Sequence, residues 1–116
     1  MEGFQLSFHV PGTLAADKSI VWTVPFNCQL THVSAVGSNA HDGIVSIGSS
    51  ADVDLYLDET TFGVSDTPQE FDWNDFIGGQ FPHIAKGTVV AITLDFNGAA
   101  GTACHDFSIV LTFTVG

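Results

Sequence analysis

From residue 107 the chain reads FSIVLTFTV, with Phe107, Ile109, Leu111, Phe113 and Val115 on one parity and Ser108, Thr112 and Thr114 among the residues between. A period of two belongs to a β-strand with one buried face. Phe4, Leu6, Phe8 and Val10, alternating with Gln5, Ser7 and His9, repeat the pattern near the start. No useful length of chain shows the 3.6-residue period of a helix. Strand-like runs recur about every 8 to 12 residues with turn signals between them, which favours a sandwich or barrel over an α/β fold. The run KGTVVAITLDF (86–96) is a second long strand. Joined to the last run by NGAAGTACHD, it predicts an antiparallel pair against which the shorter strands are laid.

Those shorter strands follow in order. The first ends at Pro11-Gly12, and KSIVWTV (18–24) is stopped by Pro25. In QLTHVSAVG (29–37) the apolar residues Leu30, Val33, Ala35 and Val36 change parity midway, which predicts burial on both faces or a bulge. After the turn SNAHDG comes a short strand at 44–47. Then DVDLYLD (52–58) alternates cleanly, so Val53, Leu55 and Leu57 are expected inside and Asp52, Asp54, Tyr56 and Asp58 outside.

The pattern breaks at residues 65–82. SDTPQEFDWNDFIGGQFP carries Phe71, Trp73, Phe76 and Phe81 among Asp66, Glu70, Asp72 and Asp75. It is longer than a routine connection. One reading is an aromatic plug closing the core. The other is a contact surface, because interfaces concentrate aromatic residues within a polar rim. The flanking strands already supply apolar faces for two sheets, so these four aromatics are assigned to a contact with a neighbouring subunit or larger assembly.

Composition limits what such a domain can do. At 116 residues the chain matches one domain, residues 1–116, carrying the 65–82 segment as an insertion. Thirteen carboxylates against Lys18 and Lys86, with no arginine, give a net charge of −11. A surface this acidic does not neutralise phosphates, so neither nucleic acid nor an anionic membrane is an expected partner. Neither an apolar run of about 18 residues nor a basic amino-terminal region is present, and a soluble protein made in a cytoplasm is expected. Cys28 and Cys104 are the only cysteines. In that compartment two thiols buried as small hydrophobic groups are favoured over a disulfide.

Catalytic geometry is not legible. Asp52, Asp54 and Asp58 on one strand face are the nearest approach to a glycosidase pair, yet nothing marks an acid of raised pKa, and a solvated face explains them. The same aspartates with Glu59 lack a calcium-loop pattern. His9, His32, His41, His83 and His105 show no metal-ligand spacing, and a Cys28–His105 pair has nothing specific behind it. No cofactor, no metal and no enzymatic activity are therefore expected. Exposed aromatics could serve a carbohydrate-binding module, with Trp22, Tyr56 and Trp73 as stacking candidates.

Two stretches carry a resemblance: VPFNCQLTHVSAVGSNA (24–40) and HIAKGTVVAITLDFNGAAGTACHDFSIVLTFTV (83–115). Their aliphatic alternation, with Pro25, Gly87, Gly98 and Asp106, resembles a module recurring in virion proteins of tailed bacteriophages. Thr88 stands where that module usually has Asp. The resemblance implies a capsid decoration, or cement, protein of jelly-roll type, assembled in the host cytoplasm and seated on the exterior of the capsid. It also implies the major capsid protein as partner and self-association, often as a homotrimer. The expectation is a single jelly-roll-like antiparallel β-sandwich of about eight strands acting as a structural virion protein. A carbohydrate-binding sandwich, or a tail or fibre component, is the alternative.

Overall fold

In the computed structural model, which describes residues 3–95 and 101–115, every regular element is a strand. Along the chain these are β1 (Gly3–Thr13), β2 (Lys18–Thr23), β3 (Cys28–Val36), β4 (Ile44–Ser49), β5 (Leu57–Thr61), β6 (Gln69–Phe71), β7 (His83–Ile84), β8 (Val89–Asp95) and β9 (His105–Val115). They form two antiparallel sheets. One has the order β1-β9-β3-β6, with β7 also on β3, and the other the order β2-β8-β4-β5. β6 and β7 are two pieces of one edge position along β3. The pairs are then nested: β1 with β9, β2 with β8, β3 with β6 and β7, β4 with β5. A long hairpin paired in this way and rolled up is a jelly-roll sandwich: the alternation favours a sandwich or barrel, and the jelly roll is what the resemblance implies.

Register explains why the apolar parity of β9 dominates the core. Phe4, Leu6, Phe8 and Val10 of β1 lie opposite Phe113, Leu111, Ile109 and Phe107. On the other flank Leu30, Val33 and Ala35 of β3 lie opposite Phe113, Leu111 and Ile109, which requires one extra residue in β3. That residue is Thr31, a bulge whose hydroxyl donates to the Thr112 carbonyl at 3.1 Å. The bulge is the physical cause of the parity change within 29–37. Val45, Ile47, Val90, Ile92 and Leu94 from the second sheet complete the core.

Three expectations need correction. The long strands β8 and β9 do not pair with each other. β8 lies between β2 and β4 and β9 between β1 and β3, in opposite sheets. Alternation reports which face of a strand is buried and is silent about which strand lies beside it. Phe96 and the Gly/Ala loop through residue 100, Gly98 included, lie outside the described residues, as do Met1 and Glu2.

The second correction concerns 52–58. Asp52 N–H reaches both the Ser49 carbonyl and hydroxyl, and Leu55 N–H reaches the Asp52 carbonyl, so the segment turns before β5 begins at Leu57. Local hydrogen bonding by Ser and Asp outcompetes an extended strand here. Val53 and Leu55 are exposed, while Tyr56, expected outside, is buried. The returning turn also crosses β4 so closely that a Cβ on Gly48 would meet the Asp52 carbonyl oxygen.

The third correction is to residues 65–82, which supply β6 rather than leaving the sheets altogether. Phe71 and Phe76 join the core at 8% and 3% exposure. Trp73 and Phe81 stay outside.

Candidate contact surface

The register places the loops between β2 and β3, between β4 and β5 and between β6 and β7 at the same end of the sandwich, where β3 begins and β9 finishes. At this end lie Phe26, Val53, Leu55, Trp73, Ile77 and Phe81, all exposed. Trp73 is 49% exposed. Two of the loops are tied directly, Ile77 N–H donating to the Tyr56 carbonyl at 2.9 Å. The tip holding Trp73 is shaped by its own carboxylates: Asp72 accepts from Asn74 N–H at 3.0 Å, and Asp75 accepts from Asp72 N–H at 3.0 Å. Scattered exposed apolar residues are ordinary, but a set gathered at one end within an acidic rim has the composition of a contact surface.

The four aromatics singled out from the sequence are thus divided. Phe71 and Phe76 are buried members of the core cluster and anchor the two sides of the Trp73 tip from below. Trp73 and Phe81 remain as surface candidates. Sequence reasoning missed Phe26 and Ile77, and it placed Val53 and Leu55 inside. Of the stacking candidates, Tyr56 is buried. Trp22 is half-buried in an aromatic group, 5.5 Å from Phe113 and 6.1 Å from Phe4 between ring centroids. Only Trp73 of the three presents an open face.

At the same end Asp52 and Asp54 come together. A hydrogen bond to Asp52 raises the Asp54 carboxyl above the usual carboxylate range, with burial and the Asp52 and Asp58 charges adding to the effect. A raised acid is therefore present, contrary to the sequence reading. It shares a surface turn with its partner rather than facing it across a cleft, so it lacks glycosidase geometry. Among the described residues no three His, Cys, Asp or Glu side chains converge as a metal-ligand set.

The opposite end of the sandwich is a polar junction. Asp106, at φ 50°, accepts from Gly12 N–H at 2.8 Å and from the Ser38 hydroxyl at 3.0 Å. These bonds, the Gly12 one first, hold its carboxyl below the ordinary range. They join the end of β1 and the exit of β3 to the start of β9. His41 lies nearby, its Nδ1 accepting from Gly43 N–H at 2.9 Å and its ring edge-on to Phe62 at 4.5 Å. Its Nε2 is buried without a partner. Burial pushes its pKa down. Beside it is an open cavity of about 210 Å³ lined by Ala40, His41, Asp42, Gly63 and Thr102.

Both thiols are buried and free. Cys28 lies opposite Val115, whereas Cys104 immediately precedes the other end of the eleven-residue β9. Strand rise separates them by about 35 Å, far beyond the roughly 7 Å between Cα atoms that a disulfide tolerates. The same separation rules out the Cys28–His105 pair. Burial, with Asp106 adding to it, pushes the Cys104 thiol up to about 11, so it is not an activated nucleophile.

No protein-family profile matches this chain, and no curated protein sequence matches it. Among solved structures it is similar to a chain in the structure titled "Cyanophage Pam1 capsid asymmetric unit". The TM-score is 0.60 at 13% sequence identity, and the match covers 99% of this chain and 84% of the other. At that identity the likeness is one of fold.

Proposed function

We propose that the chain is a structural virion protein that decorates and stabilises the outside of a phage capsid, without enzymatic activity. The observation that supports this reading most is the full-length fold likeness to a chain of a phage capsid asymmetric unit. The apolar loop end, with Trp73 and Phe81 foremost, is the surface offered to the major capsid protein. Phe71 and Phe76 hold that surface in place from the core. Self-association as a homotrimer belongs to the same reading, since a surface with few charged side chains loses little by burial between copies. The net charge of −11 keeps the protein off the packaged nucleic acid and off anionic membranes. Its location in this reading is the exterior of the virion, after assembly in the host cytoplasm.

Incubation with expanded, undecorated capsids tests the proposal. Saturable binding is the expected result. Retention on a glycan array without capsid binding would overturn it in favour of a carbohydrate-binding module, for which the open face of Trp73 is the motivating observation. Binding to isolated tails or fibres and not to heads would move the protein elsewhere in the virion.

A further inference from the structure

The four edges of the two sheets are not equivalent. On one side of the sandwich the edges are β5 and the broken β6–β7 pair. β5 carries Asp58 and Glu59, β6 carries Glu70, and the interruption between β6 and β7 leaves only short unpaired stretches. Charges and breaks of this kind are how natural sheets protect an edge from pairing with another chain. On the other side the edges are β1 and β2, which contain no carboxylate and a single charge, Lys18, at the very start of β2. β1 is eleven residues long, with its only proline at Pro11.

Burial shows the same asymmetry. The inward apolar residues of the protected edges are closed off: Leu57 is 2% exposed, Phe71 8% and Ile84 2%. Their counterparts on the other side, Phe4, Leu6, Phe8 and Val10 of β1 with Ile20 and Trp22 of β2, touch the core but remain only partly covered. Just outside this row Val21 is 60% exposed. A row of apolar side chains left half open along an unprotected edge calls for a cover.

The distribution of charge leaves room for a second copy of the chain as the cover. All the described carboxylates lie at the two ends of the sandwich or on β5 and β6. Two copies carrying −11 each would oppose carboxylates at those places, which disfavours association. The stretch from Phe4 to Val10 and from Ile20 to Thr23 carries no carboxylate, so an identical acidic chain can approach it without that repulsion; the outer faces of the central strands share this freedom, but the β1–β2 side adds the half-open apolar row. We infer that copies of this chain meet along the β1–β2 side of the sandwich, each closing the open row of its neighbour. This rests on the proposed self-assembling virion role and assigns that self-contact to the sheet-edge side, which meets the loop end where Phe4 packs against Phe26 at 5.7 Å and leaves Trp73 outside it.

The full chain is measured by sedimentation at ~150 mM NaCl, where surface repulsion is screened, beside the variants Ser7→Glu and Val21→Glu. Both positions are exposed strand residues. The expected result is an oligomer for the parent, the mass of a single chain for both edge variants with unchanged thermal melting, and a persisting oligomer for Trp73→Glu. A parent that sediments as a single chain at every concentration overturns the inference, as do edge variants that associate like the parent. Cross-linking with a bismaleimide supplies a readout independent of added charge. Cys28 and Cys104 are fully buried, so the reagent reports on an introduced thiol. Ser7→Cys should cross-link between copies and Trp73→Cys should not, and the reverse pattern overturns the assignment. Capsid binding by the parent is read separately. A single-chain parent that binds capsids refutes this inference alone, and a β1–β2 oligomer that ignores capsids refutes the capsid-decorating role alone.

Discussion

Asp106 shows how one side chain can join three segments of a fold. Its backbone sits at φ 50°, a region that Asn and Asp tolerate better than most residues. Its carboxylate fastens the turn at Gly12 and the loop at Ser38. Asp106→Ala should lower the melting temperature by more than Asp106→Asn, which keeps both an acceptor and the backbone tolerance. The folded-state pKa is depressed, so the charge contributes stability above the unfolded value, about 3.9. That contribution is lost as pH falls through the folded value. His41 acts in the opposite range. Its folded pKa lies below the ordinary 6.5, so once pH drops under 6.5 the unfolded chain binds a proton that the folded chain resists. Stability should fall on acidification through that range, and His41→Gln should flatten the fall. Urea midpoints of both proteins between pH 7.5 and pH 5.5 measure it; a parallel pair of curves would remove His41 as the cause.

At the scale of elements, the loops decide what the strands present. Phe76 is held under the β6–β7 loop, and Phe76→Ala should cost about 3 to 5 kcal/mol of folding stability by urea unfolding. Trp73, three residues earlier but half exposed, should behave otherwise. Trp73→Ala should change folding stability by less than about 1 kcal/mol while weakening capsid association by roughly 2 kcal/mol or more. Equal folding losses for the two variants would mean that Trp73 is a plug as well. At Gly48 the β4–β5 turn lies so close that Gly48→Ala must displace it, at a cost of about 1 to 3 kcal/mol. The same elements mark what the sequence could disclose. The faces of β1 and β9, and the parity slip at Thr31, were legible because burial on one side of a strand imposes a period of two. The partners of β8 and β9 were not, since pairing is set by how the rolled hairpin closes. Nor was the turn at 52–56, where Ser49 and Asp52 bond locally through a segment whose alternation mimics a strand. Trp73 and Phe81 were found by composition alone. Separating them from Phe71 and Phe76 required knowing which rings are buried in the core.

For the molecule as a whole, thirteen carboxylates and two lysines dominate the response to solution conditions. Mutual repulsion opposes both folding and assembly, and salt screens it. Raising NaCl from low millimolar levels should raise the melting temperature and favour the oligomer. A flat or falling response would mean that bound cations already neutralise the acidic ends. The proposed role seats this rolled, acidic sandwich on a phage shell by its apolar loop end. The most direct measurement is imaging of expanded capsids after incubation with the purified chain. Added density is expected at fixed lattice positions on the outer surface, lost with Trp73→Ala and retained with Asp106→Asn. Capsids that remain bare with the folded parent protein at saturating concentration would contradict it.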